Sequence, residues 1–450
     1  MSSMGRGYIV EECVEKYLTN LSAAAGSCET GLFIGQCSAQ RDFVVLAVRT
    51  PHRETEGATE SQRTPILLDN IDVEWVAEHA RQVSRMLPGG VSVLGLFLIA
   101  PPEVSKEVQN TLKKLVFAVD KSISKSKLWD PSEDDVTERI TLHICSKTRK
   151  AVCKTFDVKD PKCSAKPADW KYQSGISSSW PLITCNVQLD LQIPVTSENV
   201  DKFIKDGLRN WAKQIESALC LINGKAVTDD SELLSGPKKS TKASQQQTVR
   251  AQILVSADDA DAGQVSSAVV KECSGSVCLR GVVHCRAYIH TNKPKTRHAA
   301  QALKRDVVNT VFSRVEMLLE DLLMNEADLA SGEQVLPRRV FAPISGSGLS
   351  VCDYIFPDES TADVAERFKE MLGCDLPEED VDTSMEAQTC YSVSGVEDGC
   401  DEEANHNVPT QSGAETVPKT KAARQYAAGM AVAAAVALLA TATSLLYLTE

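Results

Sequence analysis

The ten residues Val91-Ser-Val-Leu-Gly-Leu-Phe-Leu-Ile-Ala100, which run directly into Pro101 and Pro102, decide the fold of the first part of the chain. The run is apolar almost throughout, as in a strand that is buried within a sheet. Proline has no N–H group to donate to a strand ladder, so the two prolines predict where this strand ends. We therefore predict a strand at 91–100.

Helices are predicted on both sides of this strand. Residues 72–87 carry apolar side chains at helical spacing, and Pro88-Gly89-Gly90 ends that helix; residues 103–124 show the same spacing. The apolar positions are Val76, Ala80, Val83 and Leu87 in the first helix and Val108, Leu112, Leu115 and Val119 in the second. Further strands are predicted at 31–35, 43–48, 139–145 and 151–157. Together these elements predict a mixed α/β unit with its core at about residues 5–160.

The order strand, strand, helix, strand, with the last strand ending in Gly95-Leu-Phe-Leu-Ile-Ala-Pro101, is similar to the core of the MPN family, the fold of zinc isopeptidases. In active members this strand reads Gly-Trp-Tyr-His-Ser-His-Pro, and its two histidines bind zinc. Leu98 and Ala100 stand at the two matching positions, and neither side chain can coordinate a metal. The resemblance covers roughly the first 160 residues and implies an inactive domain kept for binding. An unrelated mixed sheet is the alternative.

The chain as a whole is predicted to be an α+β protein of two domains. Residues 1–235 form the MPN-like region, the Lys-, Ser- and Gln-rich stretch 236–247 is a flexible linker, and 248–372 is a second α+β domain. The first region continues with a loop at 167–175, a strand at 182–195 and a helix at 200–221. The second domain is predicted to have strands at 249–255, 267–273, 277–289, 339–343 and 349–356 and helices at 299–325 and 360–372. Residues 373–426 are predicted to be a disordered acidic tether.

The charge of the chain lies in one segment. The formal net charge is −13, and Glu370 to Pro418 holds 13 of the 61 acidic residues and no Lys or Arg, which leaves 48 acidic against 48 basic residues elsewhere. A neutral body without a basic stripe excludes nucleic acid as a partner. The 15 cysteines form no C-x-x-C pair, which indicates reduced thiols in the cytosol.

A membrane helix is predicted at the C-terminus. Residues 427–448 contain no charged side chain and at helical rise span about 30 Å, the thickness of a hydrocarbon core. Lys419, Lys421 and Arg424 precede the helix and place the upstream side in the cytosol, as in a tail-anchored protein. The moderate hydrophobicity of the helix favours the endoplasmic reticulum membrane, and the mitochondrial outer membrane is the alternative. The apolar anchor residues include Ala427, Leu438, Leu439, Leu445, Leu446 and Leu448. A buried core helix is the alternative.

No pattern in the sequence predicts a catalytic or cofactor site. One candidate for a metal cluster is formed by Cys273, Cys278, His284, Cys285 and His290, but its spacing matches no standard zinc module, and buried structural cysteines are the favoured interpretation. The serine-rich stretches 174–179 and 346–348 form no Gly-x-Ser-x-Gly elbow. Gly224-Lys225 lacks the upstream glycine of a phosphate-binding loop. We therefore predict no enzyme activity, metal or cofactor.

Several long strings resemble the odorant-response-abnormal protein four family. They are Gly7-Tyr-Ile-Val-Glu-Glu12, Ile34-Gly-Gln-Cys-Ser38, His79-Ala-Arg-Gln-Val-Ser-Arg-Met-Leu-Pro-Gly-Gly90, Ala168-Asp-Trp-Lys-Tyr-Gln-Ser-Gly175 and Cys285-Arg-Ala-Tyr-Ile-His290. The resemblance spans nearly the whole chain, anchor included. It implies a non-enzymatic membrane protein that helps a subset of G-protein-coupled receptors leave the endoplasmic reticulum, and that partners the ubiquitin-fold-modifier-specific protease.

The sequence therefore predicts a tail-anchored adaptor, with a membrane-bound hydrolase of modifier-conjugated proteins as the alternative. The candidate contact surface is Asp169, Trp170, Lys171, Tyr172 and Gln173, because two aromatic side chains in a loop are typical of a binding hot spot. An equally weighted interpretation is that Trp170 and Tyr172 only fix the loop to the core.

Overall fold

The chain folds as an α+β protein with two large sheets. The computed structural model describes residues 5–21, 26–53, 66–132, 135–195, 200–226, 228–233, 246–255, 273, 275–291, 294–324, 332–386 and 389–395. Within these residues it contains an eight-stranded sheet, a seven-stranded sheet and a two-stranded ribbon. The predicted α+β class is confirmed.

The first sheet is built around the strand that the apolar run predicts. Its strands are β1 (Gly7–Glu11), β2 (Glu29–Gln36), β3 (Arg41–Arg49), β4 (Ser92–Ala100), β5 (Glu138–Cys145), β6 (Ala151–Asp157), β7 (Lys166–Pro167) and β8 (Asp169–Gln173), in the spatial order β7-β6-β5-β4-β2-β3-β1-β8. Strand β4 pairs antiparallel with β2 and parallel with β5. It therefore lies in the interior of the sheet.

Three helices cover the two faces of this sheet. They are α1 (Glu12–Asn20), α2 (Val73–Arg85) and α3 (Val108–Lys125). Helices α2 and α3 pack against the face that presents Leu96 and Leu98, and α1 lies on the face that presents Phe97 and Ile99. Because both faces of β4 are covered, both alternating sets of its side chains must be apolar. This explains why its sequence is a continuous apolar run.

The second sheet lies around two long neighbouring strands. Its strands are β9 (Leu182–Val195), β10 (Leu219–Ile222), β11 (Lys225–Ala226), β12 (Thr248–Leu254), β13 (Gly275–Tyr288), β14 (Gly332–Leu336) and β17 (Thr389–Gly395), in the order β11-β10-β12-β9-β13-β17-β14. Strands β9 and β13 pair antiparallel over their whole length. Two helices, the amphipathic α4 (Val200–Ser217) and the longer α5 (Thr296–Met324), supply apolar side chains to its core.

The boundary between the two sheets does not lie at the predicted polar linker, residues 236–247. Strand β9, expected in the first region, lies between β12 and β13, which were expected in the second domain. The predicted helix at 200–221 also ends at Ser217, and β10 follows it. The change from one sheet to the other therefore comes after β8 rather than at 236–247. A polar composition indicates a loop, but it does not show which strands pair across that loop.

The last part of the body joins the two sheets. Strands β15 (Arg338–Pro343) and β16 (Ser350–Ile355) form the ribbon, and α6 (Thr361–Leu372) follows it. Helix α6 begins with a capping box between Ser360 and Asp363 and ends at Gly373 in the left-handed conformation, as the sequence pattern favours. Phe368 of α6 packs in the same core as Val76 of α2. The predicted second domain thus contributes to the core of the first sheet.

The predicted disordered tether at 373–426 is corrected in its first part. Residues 378–380 form a short 3-10 turn, and β17 lies between β13 and β14 in the second sheet. The acidic composition of residues 373–426 predicted disorder, but a single strand needs only a few apolar residues, and this segment has enough of them. Residues 396–426 and the predicted anchor 427–448 lie outside the described residues. Among the helices that the structure describes, none has the length and apolar character needed to cross a membrane.

Candidate functional site

Residues 169–173, predicted to be a loop, form the edge strand β8 of the first sheet. Strand β8 pairs parallel with β1, and the N–H of Asp169 donates to the carbonyl oxygen of Arg6 at 3.1 Å. Main-chain groups alternate in direction along a strand, so those of Trp170 and Tyr172 face away from β1. The outer side of β8 therefore presents main-chain hydrogen-bonding groups at a sheet edge.

The two aromatic residues of β8 have different environments. The half-buried Trp170 lies with its ring centroid 5.0 Å from that of Phe33 and 6.4 Å from that of Tyr8, so it fixes the strand to the core. The Tyr172 ring meets Trp170 edge-on at 6.0 Å and is 38% exposed. Asp169 and Lys171 form an exposed ion pair at 2.9 Å on the opposite side of the strand, and Gln173 is also exposed.

A buried carboxylate fixes the chain immediately after β8. Glu11 accepts hydrogen bonds from the N–H groups of Gly175 at 2.6 Å, Ile176 at 2.9 Å and Ser177 at 3.3 Å. The serine-rich stretch 174–179 therefore forms a turn whose backbone N–H groups bind the Glu11 carboxylate. Gly348 lies against this turn, since a Cβ atom there would come within 2.8 Å of the Ser177 carbonyl oxygen. The two serine-rich stretches thus pack together as loops, as predicted.

Three of the strings that carry the family resemblance meet at one point between the sheets. Gln36, at the end of β2, donates from Nε2 to the carbonyl oxygens of Gly90 at 2.8 Å and Tyr288 at 2.6 Å, and its Oε1 accepts the N–H of His290 at 2.6 Å. The N–H of Tyr288 donates to the Gly89 carbonyl at 2.9 Å. Gly90 has φ +80°, and a Cβ atom there would lie 2.2 Å from the Tyr288 oxygen, so only glycine fits.

A buried network of charged side chains lies near this junction. Arg339 donates to both carboxylate oxygens of Asp306, at 2.7 and 2.9 Å. Glu386 accepts hydrogen bonds from Arg314, from the Arg339 N–H at 2.7 Å and from the His284 N–H at 2.8 Å. Burial alone would lower the pKa of Arg339, but the Asp306 carboxylate outweighs it and raises that pKa well above its usual value. The network ties the segment before β17 to the body.

Sequence reasoning missed this network because its members are far apart along the chain. One signal was available: Asp306 interrupts the apolar face of α5, beside the buried Leu303 and Val307. A charge at such a position requires a buried partner. The sequence does not show which of the many Arg residues supplies it.

The candidate metal cluster does not assemble. Its members are Cys273, Cys278, His284, Cys285 and His290. His284 Nδ1 lies 2.6 Å from Asn186 Oδ1, while the His290 ring stacks on Phe43 at 5.1 Å. Strand β13 ends at Tyr288, so strand alternation does not extend to His290. Across the described residues, no group of three or more His, Cys, Asp or Glu side chains is placed to hold a metal ion.

The two strand positions that match the zinc ligands of active MPN-family members hold buried apolar side chains. Leu98 and Ala100, at the zinc-ligand positions of the resemblance, are fully buried in β4. Burial raises the pKa of the Cys285 thiol well above its usual value and that of Cys352 to about 11. Both thiols therefore stay protonated at neutral pH, and a protonated thiol is a weak nucleophile.

Comparisons with known proteins find relatives that span most of the chain. The family model described as "Odorant response abnormal 4-like" matches residues 31–383. The human protein odr-4 homolog is 48% identical over 408 residues, which cover 87% of this chain and 88% of the human protein. The mouse protein odr-4 homolog is 45% identical and covers 99% of this chain and 100% of its own length.

Two more distant similarities were also found. The odorant response abnormal protein 4 of Caenorhabditis elegans is 22% identical over 370 residues, 78% of this chain and 73% of that protein. Among solved structures, UfSP from C. elegans aligns with a TM-score of 0.41 at 9% identity, over 83% of this chain and 57% of that one. The family match and the full-length relatives establish that this chain belongs to the odorant response abnormal 4-like family.

Proposed function

We propose that this chain is a non-enzymatic adaptor, anchored by its C-terminus in the endoplasmic reticulum membrane, that assists the trafficking of a subset of G-protein-coupled receptors of the odorant-receptor type. The observation that carries this proposal is the similarity, over nearly the whole chain, to proteins named for an odorant response. A second role, anchoring of the ubiquitin-fold-modifier-specific protease, is part of the same proposal.

The first sheet supports a binding role. We retain the MPN-like interpretation of this sheet as part of the proposal: Leu98 and Ala100 fill the two strand positions where active members bind zinc. An unreactive domain of this kind serves as a platform for a partner. The buried thiols described above add no nucleophile.

The proposed contact surface is the outer edge of β8. An extended segment of a partner can add to an exposed sheet edge through main-chain hydrogen bonds, and side chains beside that edge supply specificity. Tyr172 supplies an exposed aromatic group there, while the Trp170 ring holds the strand in place. Trp170 therefore positions the edge rather than contacting the partner.

The anchor would act through effective concentration. Membrane-bound receptors and an adaptor fixed to the same membrane meet far more often than free molecules do, so weak contacts suffice. The predicted tether between the folded body and residues 427–448 sets the reach.

The proposal is tested by receptor delivery. In cells that lack this protein, an odorant-type receptor should remain in the endoplasmic reticulum, and the intact chain should restore its surface level. A version that ends at Lys421 keeps the folded body but lacks the proposed anchor and should restore little. Equal rescue by both versions would contradict an anchored adaptor, and rescue by neither would contradict the receptor role.

A further inference from the structure

A cavity of about 740 Å³ lies between α3 and α5, beside the Gln36 junction. Its walls come from the end of β2, the C-terminal part of α2, helix α3, the segment after it, and one side of α5. A volume of this size suits a small organic ligand. The residues of the proposed β8 contact surface do not line it.

The cavity wall carries an excess of positive charge. Eight Lys or Arg residues line it against four carboxylates, although the chain as a whole is acidic. The cationic residues are Arg81, Arg85, Lys127, Arg139, Lys159, Lys295, Arg297 and Arg305, and the acidic ones are Asp120, Asp135, Asp306 and Glu316. Charges of one sign on the walls of a concave site concentrate their field inside it. Six of these eight cations pair with carboxylates, some of which lie outside the lining, so the positive charge left for an anion is that of Lys127 and Lys159.

Lys127 is one of two lining cations, with Lys159, for which the described residues supply no ion pair. Its neighbours are neutralised: Arg139 pairs with Asp120 at 3.1 Å, and Arg305 bonds both oxygens of Asp135 at 2.8 Å. Among the residues that the structure describes, no carboxylate oxygen lies within 4.0 Å of the Lys127 ammonium nitrogen. Lys127 is exposed as a whole residue, but protein atoms around its ammonium group lower its pKa by desolvation, and the charge of Arg139 lowers that pKa further. A bound anion would oppose both effects.

The rest of the wall is suited to an apolar group. Its apolar side chains include Val116, Val119, Ile123, Trp129 and Phe312. We propose that this cavity binds a small organic oxyanion, with a phosphate or carboxylate group at Lys127 and an apolar body against the apolar part of the wall. Such a site is independent of β8 and of receptor binding.

The test uses the purified full chain and 1-naphthyl phosphate, which combines an oxyanion with an apolar ring, in a calorimetric titration. We expect saturable binding that Lys127→Ala weakens about tenfold or more, because a charge-assisted contact is lost. Lys125→Ala is the matched control, since Lys125 is exposed like Lys127 and lies two positions earlier but does not line the cavity. It should leave the affinity unchanged, and neutral 1-naphthol should bind equally to all three proteins.

Lys127→Arg separates loss of charge from loss of structure, because it keeps the cation and should bind 1-naphthyl phosphate within a few-fold of the natural chain. No saturable binding of 1-naphthyl phosphate would overturn the proposal. Equal losses in Lys127→Ala and Lys125→Ala would also overturn it, as would equal affinities for the phosphate and for 1-naphthol.

Discussion

At the scale of single residues, we expect the largest losses of stability when one partner of a buried ion pair is removed. Asp306 and Arg339 are each about 1% exposed and bond to each other in bidentate geometry. A buried pair of this kind adds little net stability over apolar packing, but removal of one partner leaves an uncompensated charge in the core. The pair therefore acts as a constraint that both residues must satisfy together.

Asp306→Asn should lower the free energy of unfolding by about 3–5 kcal/mol, because Arg339 would remain buried without a counter-charge. Urea unfolding of the variant beside the natural chain measures this loss. Asp190→Asn is the control, since Asp190 pairs with Arg280 at an exposed position and should have little effect. Similar losses for the two variants would show that the buried pair is not special.

Buried histidines predict how stability depends on pH. Burial lowers the pKa of His79 to about 4, against the opposing hydrogen bond with the Met371 carbonyl. The unfolded chain then binds more protons than the folded one between about pH 4 and 6.5, so this contribution is full above pH 6.5 and falls as the pH drops toward 4.

His79→Gln should therefore reduce the loss of stability between pH 7 and pH 5 by up to roughly 2 kcal/mol. Glutamine keeps a donor for the Met371 carbonyl but has no proton to gain in this range. Unfolding in urea at the two pH values gives the difference. An unchanged pH dependence would mean that His79 does not titrate as its burial requires.

At the scale of elements, the sequence predicts the helices and strands that bury a complete apolar stripe or both of their faces. The apolar run of β4, the helical spacing of α2 and the long helix α5 were all predicted within a few residues. Each buries a complete stripe or both faces, so the pattern is visible in the sequence alone. Most of the fold of the first sheet could be predicted in this way.

Strands β8 and β17 could not be predicted, because they form through pairing with distant partners. Strand β8 has a mostly exposed sequence and exists through its pairing with β1, more than 150 residues earlier. Strand β17 likewise depends on β13 and β14. The five candidate contact residues were singled out from sequence as a loop, and only the structure shows that they form an edge.

Tyr172 allows the edge to be tested by two substitutions at one position. Both Tyr172→Ala and Tyr172→Pro remove the aromatic ring, but only proline also removes the N–H that faces away from β1. If a partner adds a strand to β8, Tyr172→Pro should lose clearly more partner capture than Tyr172→Ala, with similar melting temperatures. Equal capture by the two variants would exclude strand addition at this edge.

At the scale of the whole molecule, shared core packing and hydrogen bonds join the two sheets. Phe368 of α6 lies in the core of the first sheet, and Gln36 bonds main-chain groups on both sides of the junction. The polar composition of residues 236–247 suggested a linker between two separate domains. Local polarity indicates a loop, but it does not show which strands pair across that loop. We therefore expect a single unfolding transition.

Gln36→Ala should lower the free energy of unfolding by about 1–3 kcal/mol, because two buried main-chain groups and one partly buried one lose their partner. It should also split the transition or speed amide exchange at the junction. Gln192→Ala, which removes only an exposed bond to Ser276, is the control and should do neither. A Gln36→Ala chain with natural stability and exchange would show that the junction does not couple the sheets.

The most direct test of a membrane-tethered adaptor is proximity labelling in cells from the intact chain beside a version that ends at Lys421. Labelling of receptors in the endoplasmic reticulum and of the modifier-specific protease by the intact chain alone is the expected result. If the shortened version labels the same partners equally, or if neither version labels them, the proposal that a membrane anchor organises the function of this protein is wrong.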